Sequence, residues 1–301
     1  MLRKILKIVG WWLLALLLLF AVGVWRNWDT IQRVFLGGVK VYETVPPKVP
    51  ADLERPAILV FSKTSGFRHE EAIPAANVLL DAIAKEKGWG IYQTENGAAF
   101  SPEILARFDA VVFSNTSGDV FTPKQRAAFR AFLENGGGWV GIHAAGDNSH
   151  EAWGWYVDKV IGTHFVGHPM DPQFQQAAVR IEDRTNPATR DLPAEWRRTD
   201  EWYSFDKSPR RPGMAVLATL DEGTYRQKGM FGQELAMGKD HPIVWAHCVG
   251  KGRALYSALG HTAATYREPD YRRHLTGALA WALKRDGEGC SPRVAAREVA
   301  R

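Results

Sequence analysis

The stretch Gly136-Gly137-Gly138-Trp139-Val140-Gly141-Ile142-His143-Ala144-Ala145-Gly146-Asp147 constrains the fold of this chain more than any other. A glycine run stops the helical segment before it, an apolar run of strand length follows, and the chain then breaks into a turn of small residues that carries a histidine and a carboxylate. In an open parallel sheet the turn after such a strand lies on the ligand edge.

The same pattern recurs through the first half. Apolar runs at 57–61, 89–94, 110–113 and 139–144 read as strands, with helices expected at 73–87 and at 123–134, the latter opened by Thr122 as N-cap. Strands alternating with helices imply a parallel sheet covered on both faces. The second half is richer in strand candidates (177–181, 215–220, 243–249 and 254–258) and closes with a helix at 271–284. We read it as an extension of the same sheet, giving an α/β, doubly wound, mostly parallel fold over residues 57–285.

The amino terminus is of a different kind. Arg3, Lys4 and Lys7 precede an apolar run over residues 8–25, long enough at about 1.5 Å per residue to cross a bilayer. No small-x-small cleavage site follows, so an uncleaved membrane anchor over 1–28 is expected, with Trp11, Trp12, Trp25 and Trp28 near the interfaces. The cationic flank predicts a single pass through the inner membrane with the remainder in the periplasm. Residues 29–56, rich in glycine, proline and mixed charge, read as a juxtamembrane linker, and residues 286–301 as a disordered tail.

Charge narrows the partners. Of 38 Lys and Arg, 8 lie in the first 55 residues, as do 4 of the 33 Asp and Glu, which leaves 30 against 29 for the rest. A nearly neutral domain without a basic stripe gives no electrostatic case for nucleic acid. The two cysteines, Cys248 and Cys290, suggest neither a zinc knuckle nor a disulfide framework by their spacing. A Gly-x-Ser-x-Gly elbow and a phosphate-binding Gly-x-x-x-x-Gly-Lys-Ser/Thr loop are absent, and no dinucleotide-binding Gly-x-Gly-x-x-Gly follows the first strand. What remains is histidine and carboxylate chemistry.

Four strand ends carry polar clusters: 62–69, 115–119, 143–147 and 260–262. The carboxyl ends of parallel strands share one edge, so His69, Asn115, Asp119, His143, Asp147 and His261 are expected around one cleft. His168 and His241 each precede a proline, which holds them extended, and are candidates to line it. His150, His164 and His274 read as surface or structural residues. Trp202 and Tyr203 are candidate apolar walls for a sugar ring, and Trp139 a core residue. Asp200 and Glu201 read either as a solvated charge cluster with Arg197 and Arg198 or, for Glu201 beside the aromatics, as part of the site.

Gly66-Phe67-Arg68-His69, Gly118-Asp119, the Gly136–Asp147 stretch, His168-Pro169, Asp200-Glu201-Trp202-Tyr203, Asp221-Glu222-x-x-Tyr225, His241-Pro242-Ile243-x-Trp245 and Gly260-His261-Thr262 occur in the order seen in ThuA-like (trehalose-utilisation) proteins, which the chain resembles over roughly residues 57–284. The resemblance implies a class I glutamine amidotransferase-like, flavodoxin-like fold and a part in disaccharide catabolism, commonly alongside oxidoreductases that make 3-keto sugars. Where the related fold places a nucleophilic cysteine, this chain has His143, so glutaminase chemistry lacks its nucleophile.

A ketone at C3 of a sugar acidifies the neighbouring C–H, and a base of near-neutral pKa suits its removal. This assigns His143 or His69 as base, Glu201 or Asp147 as acid or orienting partner, and Arg68 as the group stabilising enediolate charge. Alternatively, His69, His143, His261 and a carboxylate bind a divalent metal ion that polarises the same ketone. The reading from another class is a tethered, non-catalytic carbohydrate-binding or scaffold module.

Overall fold

The computed structural model describes residues 2–289. It opens with helix α1 (Leu2–Arg26), long and apolar enough to cross a membrane and with none of its apolar window buried, followed after Asn27 by the short helix α2 (Trp28–Phe35). Thereafter the chain alternates: β1 (Ala57–Phe61), α3 (Ala72–Lys87), β2 (Gly90–Thr94), α4 (Pro102–Leu105), β3 (Ala110–Ser114), α5 (Pro123–Glu134) and β4 (Gly138–Ile142). Local chemistry sets the boundaries. Thr122 and Gln125 form a reciprocal capping box at the start of α5, with Pro123 in its first turn, and α3 ends at Gly88 with φ of 67°.

The second half contributes β5 (Phe165–Gly167), β6 (Phe174–Ile181), β7 (Glu195–Glu201), β8 (Ser204–Phe205), β9 (Met214–Asp221), β10 (Pro242–Val249), β11 (Gly252–Ser257) and α6 (Pro269–Ala282). Nine strands form one sheet in the order β2-β1-β3-β4-β11-β10-β9-β6-β7, while β5 and β8 pair separately. From β2 to β11 all neighbours are parallel; from β11 to β7 all are antiparallel. β1, β3 and β4 are buried along their whole length, as a sheet with both faces covered requires. The expected α/β sheet with flanking helices is therefore present, its parallel half continued by an antiparallel one.

β7 was not among the expected strands. Its alternating inward positions are Trp196, Arg198 and Asp200, and Glu201 at its end is buried too, so three of its four buried residues are charged. Arg198 and Asp200 pair at 3.1 Å with side chains almost fully buried, and the guanidinium is flanked by the rings of Trp196 and Tyr271. Arg197 instead pairs with Glu195 at the surface. The solvated-cluster reading of Asp200 is thereby corrected: it is one half of a desolvated ion pair. Cys248, on the exposed side of β10, is disulfide-bonded, against the sequence expectation.

Residues 37–56 run along the domain as a strap. Glu43 meets Lys63 Nζ at 2.5 Å and accepts the Gly97 N–H, its carbonyl accepts from Gln125 Nε2, and the carbonyls of Val45 and Val49 accept from Asn96 and Arg107. Of the expected tail, residues 290–301 lie outside the described residues.

Two stability predictions follow from buried polar groups. Asp200→Ala leaves the buried Arg198 charge with only the more distant, partly exposed Glu268 as counter-ion and is expected to cost about 3 kcal/mol, whereas cutting the exposed Arg180–Asp221 pair should barely move a melting curve; similar losses from both would contradict this. His274 in α6 donates through Nδ1 to the Ala188 carbonyl and accepts from Ser257 through Nε2, and burial lowers its pKa to about 4. The unfolded chain, with a histidine pKa of about 6.5, takes up that proton first. Its contribution is complete above about pH 6.5 and falls by up to about 3 kcal/mol towards pH 4. Urea unfolding across this window should show a shallower slope in His274→Asn than in the parent, and an unchanged slope would refute it.

Candidate metal and sugar site

The carboxyl ends of β1, β4 and β11 deliver three histidines to one place. The loop after β1 brings His69, the residue after β4 is His143, and the loop after β11 brings His261. β7 runs in the same direction as β11 after the intervening reversals, so its last residue, Glu201, arrives at the same edge. One ligand atom from each of His69, His143, His261 and Glu201 lies within 4.8 Å of all the others. Sheet topology thus assembles a four-residue cluster from segments nearly two hundred residues apart.

Backbone strain marks the spot. His143 has φ of 50° and Asn115, at the end of β3, has φ of 52°, left-handed conformations that non-glycine residues rarely adopt. Gly260, in the loop bearing His261, has φ of 118° and donates its N–H to Asp200 Oδ2 at 2.9 Å; the His261 N–H donates to the other Asp200 oxygen at 3.1 Å. Asp200 therefore positions the His261 loop.

His143 is fully buried. Its Nδ1 donates to the Ala258 carbonyl at 2.8 Å, which leaves Nε2 to face His261 Nδ1 at 3.0 Å and Glu201 Oε2 at 3.3 Å. His261 Nδ1 lies 3.0 Å from the same Glu201 oxygen. The other carboxylate oxygen of Glu201 accepts from Gln173 and meets His168 Nδ1 at 3.2 Å. His69 packs edge-on to the rings of His143 and His261, and its Nδ1 is buried with no hydrogen-bond partner.

Electrostatics follow from this packing. Burial, reinforced by the two neighbouring imidazoles, holds His69 well below the usual histidine range. For His143 burial acts in the same direction, but the hydrogen bond and charge of Glu201 outweigh it and raise the pKa. Burial disfavours a charged Glu201, and the hydrogen bonds from His143 and His261 more than reverse this, holding the carboxyl far below its ordinary value.

The donor set fits a divalent cation. Ligands about 2.0–2.1 Å from a tetrahedral ion stand about 3.4 Å apart, and the three contacts among His143, His261 and Glu201 measure 3.0–3.3 Å. A carbonyl that fixes the tautomer of a ligating imidazole is the usual outer partner in such sites. The unpartnered Nδ1 of His69 is the orphaned atom a cation would satisfy.

His168 and Tyr203 adjoin the cluster, the Tyr203 ring lying 4.3 Å from that of His143. Arg68 lines the cleft above it and is tied to Glu95 and Glu70. Asn115 is buried and donates to Tyr266. The rest are set apart. Asp147 caps the next turn through Ser149, whose hydroxyl accepts from the Gly118 N–H; Asp119 pairs with Arg126 and Tyr42. Trp202 is fully buried and donates to the Gln175 carbonyl, so it offers no wall to a sugar. His241 is fully buried between Glu222 and the Tyr203 carbonyl, behind the cluster. His150 and His274 are structural and His164 sits in a surface ion pair, as read.

Sequence reasoning missed Gln173 and Phe174, because β6 begins three residues earlier than its apolar run. The Phe174 ring lies 4.9 Å from that of His261. With Phe67, Arg68, His69, His261 and residues of α2, it lines a cleft of about 450 Å³ leading to the cluster.

Among solved structures, a ThuA-like protein from Bacteroides uniformis is similar at 26% identity and a TM-score of 0.67, over 81% of this chain and 97% of that one. A ThuA-like protein from Parabacteroides merdae, at 19% identity and a TM-score of 0.56 over 79% and 92%, shares the fold. No curated protein matches the chain. The family model described as ThuA, trehalose utilisation, matches residues 57–282, the span that holds the whole sheet and all four residues of the cluster, and the chain belongs to that family.

Proposed function

We propose that this chain is a metal-dependent carbohydrate-active enzyme whose substrate is a ketone-bearing (3-keto) glycoside or disaccharide. Family membership supports a carbohydrate-related role. The observation that carries the finer reading is the cluster of His69, His143, His261 and Glu201 at the foot of an open cleft.

A divalent cation held by these four residues supplies Lewis acidity towards a carbonyl or hydroxyl oxygen of the sugar. The protein side chains do the rest. In this reading His143, with both ring nitrogens engaged and no exposure, is a ligand rather than the base. His168, half-buried with its Nδ1 3.2 Å from Glu201 and 3.1 Å from the Pro169 carbonyl, is the imidazole left to exchange a proton with the C–H beside the ketone. Arg68 at the cleft wall offers a cation to the charge that develops on oxygen. The ketone itself has to be made by a sugar oxidoreductase acting earlier.

In this reading α1 anchors the chain in the inner membrane, with Arg3, Lys4 and Lys7 on the cytoplasmic side and the domain in the periplasm. A reporter fused near Pro50 that is active only in the cytoplasm would reverse that orientation.

The purified chain is expected to carry close to one divalent transition ion per molecule by elemental analysis. His143→Ala and Glu201→Gln should lose it while keeping the parent's circular dichroism. Full occupancy in both variants would contradict the assignment. On a 3-keto disaccharide, chelation should abolish turnover and re-addition of the ion restore it, while His168→Ala should slow turnover about 100-fold or more with the ion still bound. Turnover indifferent to chelation would sink the metal mechanism, and sugar binding without any turnover would leave a tethered binding module.

A further inference from the structure

The segment read as a free linker forms part of the cleft. Asp29, Thr30, Arg33 and Val34 of α2 line one side of it, opposite Phe174 and His261. α2 is fixed to the domain: Arg33 donates to the Thr64 carbonyl at 3.0 Å, and the Val39 N–H to the Ser65 carbonyl at 2.7 Å. At Gly38, with φ of 91°, a Cβ would stand 2.6 Å from that same Ser65 oxygen, so only glycine lets the strap approach so closely.

α2 is also joined to α1 without slack. Asn27 alone separates them; its side chain and its N–H both donate to the Gly23 carbonyl, and its own carbonyl accepts from Ile31. At 1.5 Å per residue, the cleft-lining residues of α2 lie within about 12 Å of the end of α1. Trp28, Phe35 and Leu36 are exposed beside them, the composition of a helix lying in a membrane interface. The rim of the cleft is apolar as well: Val34, Phe67 and Phe174 are 45%, 47% and 40% exposed. A sugar ring needs the less exposed charged groups of the cleft, Arg33 and Arg68, and has no use for that rim.

Resting on the membrane and carbohydrate readings above, we propose that the cleft opens onto the membrane surface and takes the sugar head of an amphiphilic, lipid-linked glycoside. The head reaches the His/Glu cluster, while the lipid chain leaves across Val34, Phe67 and Phe174 into the bilayer. α2 is then a wall of the substrate site, held at the right height by the helix before it.

The test uses the full chain in phospholipid vesicles. An environment-sensitive fluorophore on Phe67→Cys should be quenched by brominated lipids, while the same label on Lys251→Cys, in the turn between β10 and β11 at the opposite edge of the sheet, should not. A glucolipid with a photoreactive group next to its sugar should label peptides containing Phe67, Phe174 or α2, and Arg33→Ala should reduce that labelling at least several-fold. Equal quenching at both positions, or labelling no different from bulk lipid exposure, would overturn the proposal. Loss of labelling with a soluble keto-disaccharide still turned over refutes this inference alone; labelling without turnover refutes the catalytic reading alone.

Discussion

A carboxylate buried to 1% exposure has to be held by positive charge or by several donors, and Glu201 imposes that demand on everything around it. Its neighbours are three imidazoles, those of His143, His261 and His168, and the amide of Gln173. Neutral imidazoles meet only part of the demand, because His143 Nε2 and His261 Nδ1 face one another as well as the carboxylate. Two ring nitrogens and an anion within about 3 Å of one another call for a cation between them, a proton or a metal ion. The proton satisfies one contact; a divalent ion satisfies all of them and the unpartnered Nδ1 of His69 too. That difference in completeness is why we place a metal there.

The rest of the structure can be understood as the scaffold that brings these groups together. The parallel half sets three histidines on its carboxyl edge, as the geometry of an open α/β sheet requires. The antiparallel half supplies what parallel strands alone did not, a strand end bearing Glu201 at the same height. Asp200, next to it, bridges the two halves by binding the backbone of the Gly260-His261 loop, and its own charge is balanced by Arg198 among aromatic rings. Stability and site are thus coupled through two consecutive carboxylates, one structural and one facing the cluster.

This division explains what the sequence disclosed. The parallel strands were legible because both of their faces are apolar, and the convergence of His69, His143 and His261 followed from topology alone. β7 was hidden because Arg198 and Asp200 occupy inward positions that a period-two hydrophobic pattern assigns to apolar residues. Glu201 was singled out through its aromatic neighbours, yet Trp202, the first residue past the end of β7, turns into the core. Asp147 looked like the natural partner of His143 from proximity in sequence, but the turn between them points its side chain into Ser149 and away from the cluster. α2 was invisible as a site element: its glycine- and proline-rich sequel reads as a tether, and the contacts that fix it in place, Arg33 with Thr64 and Val39 with Ser65, leave no mark in the sequence pattern.

The central claim is that three imidazoles and one carboxylate share a single cation. X-ray absorption at the edge of the metal that copurifies with the chain tests it most directly. The account predicts a nitrogen and oxygen shell at about 2.0–2.2 Å with the outer-shell scattering of three imidazole rings, reduced by one ring in His261→Ala. An all-oxygen shell without imidazole scattering, or a spectrum unchanged by that substitution, would show that the cation sits elsewhere and that the cluster is only a buried network of hydrogen bonds.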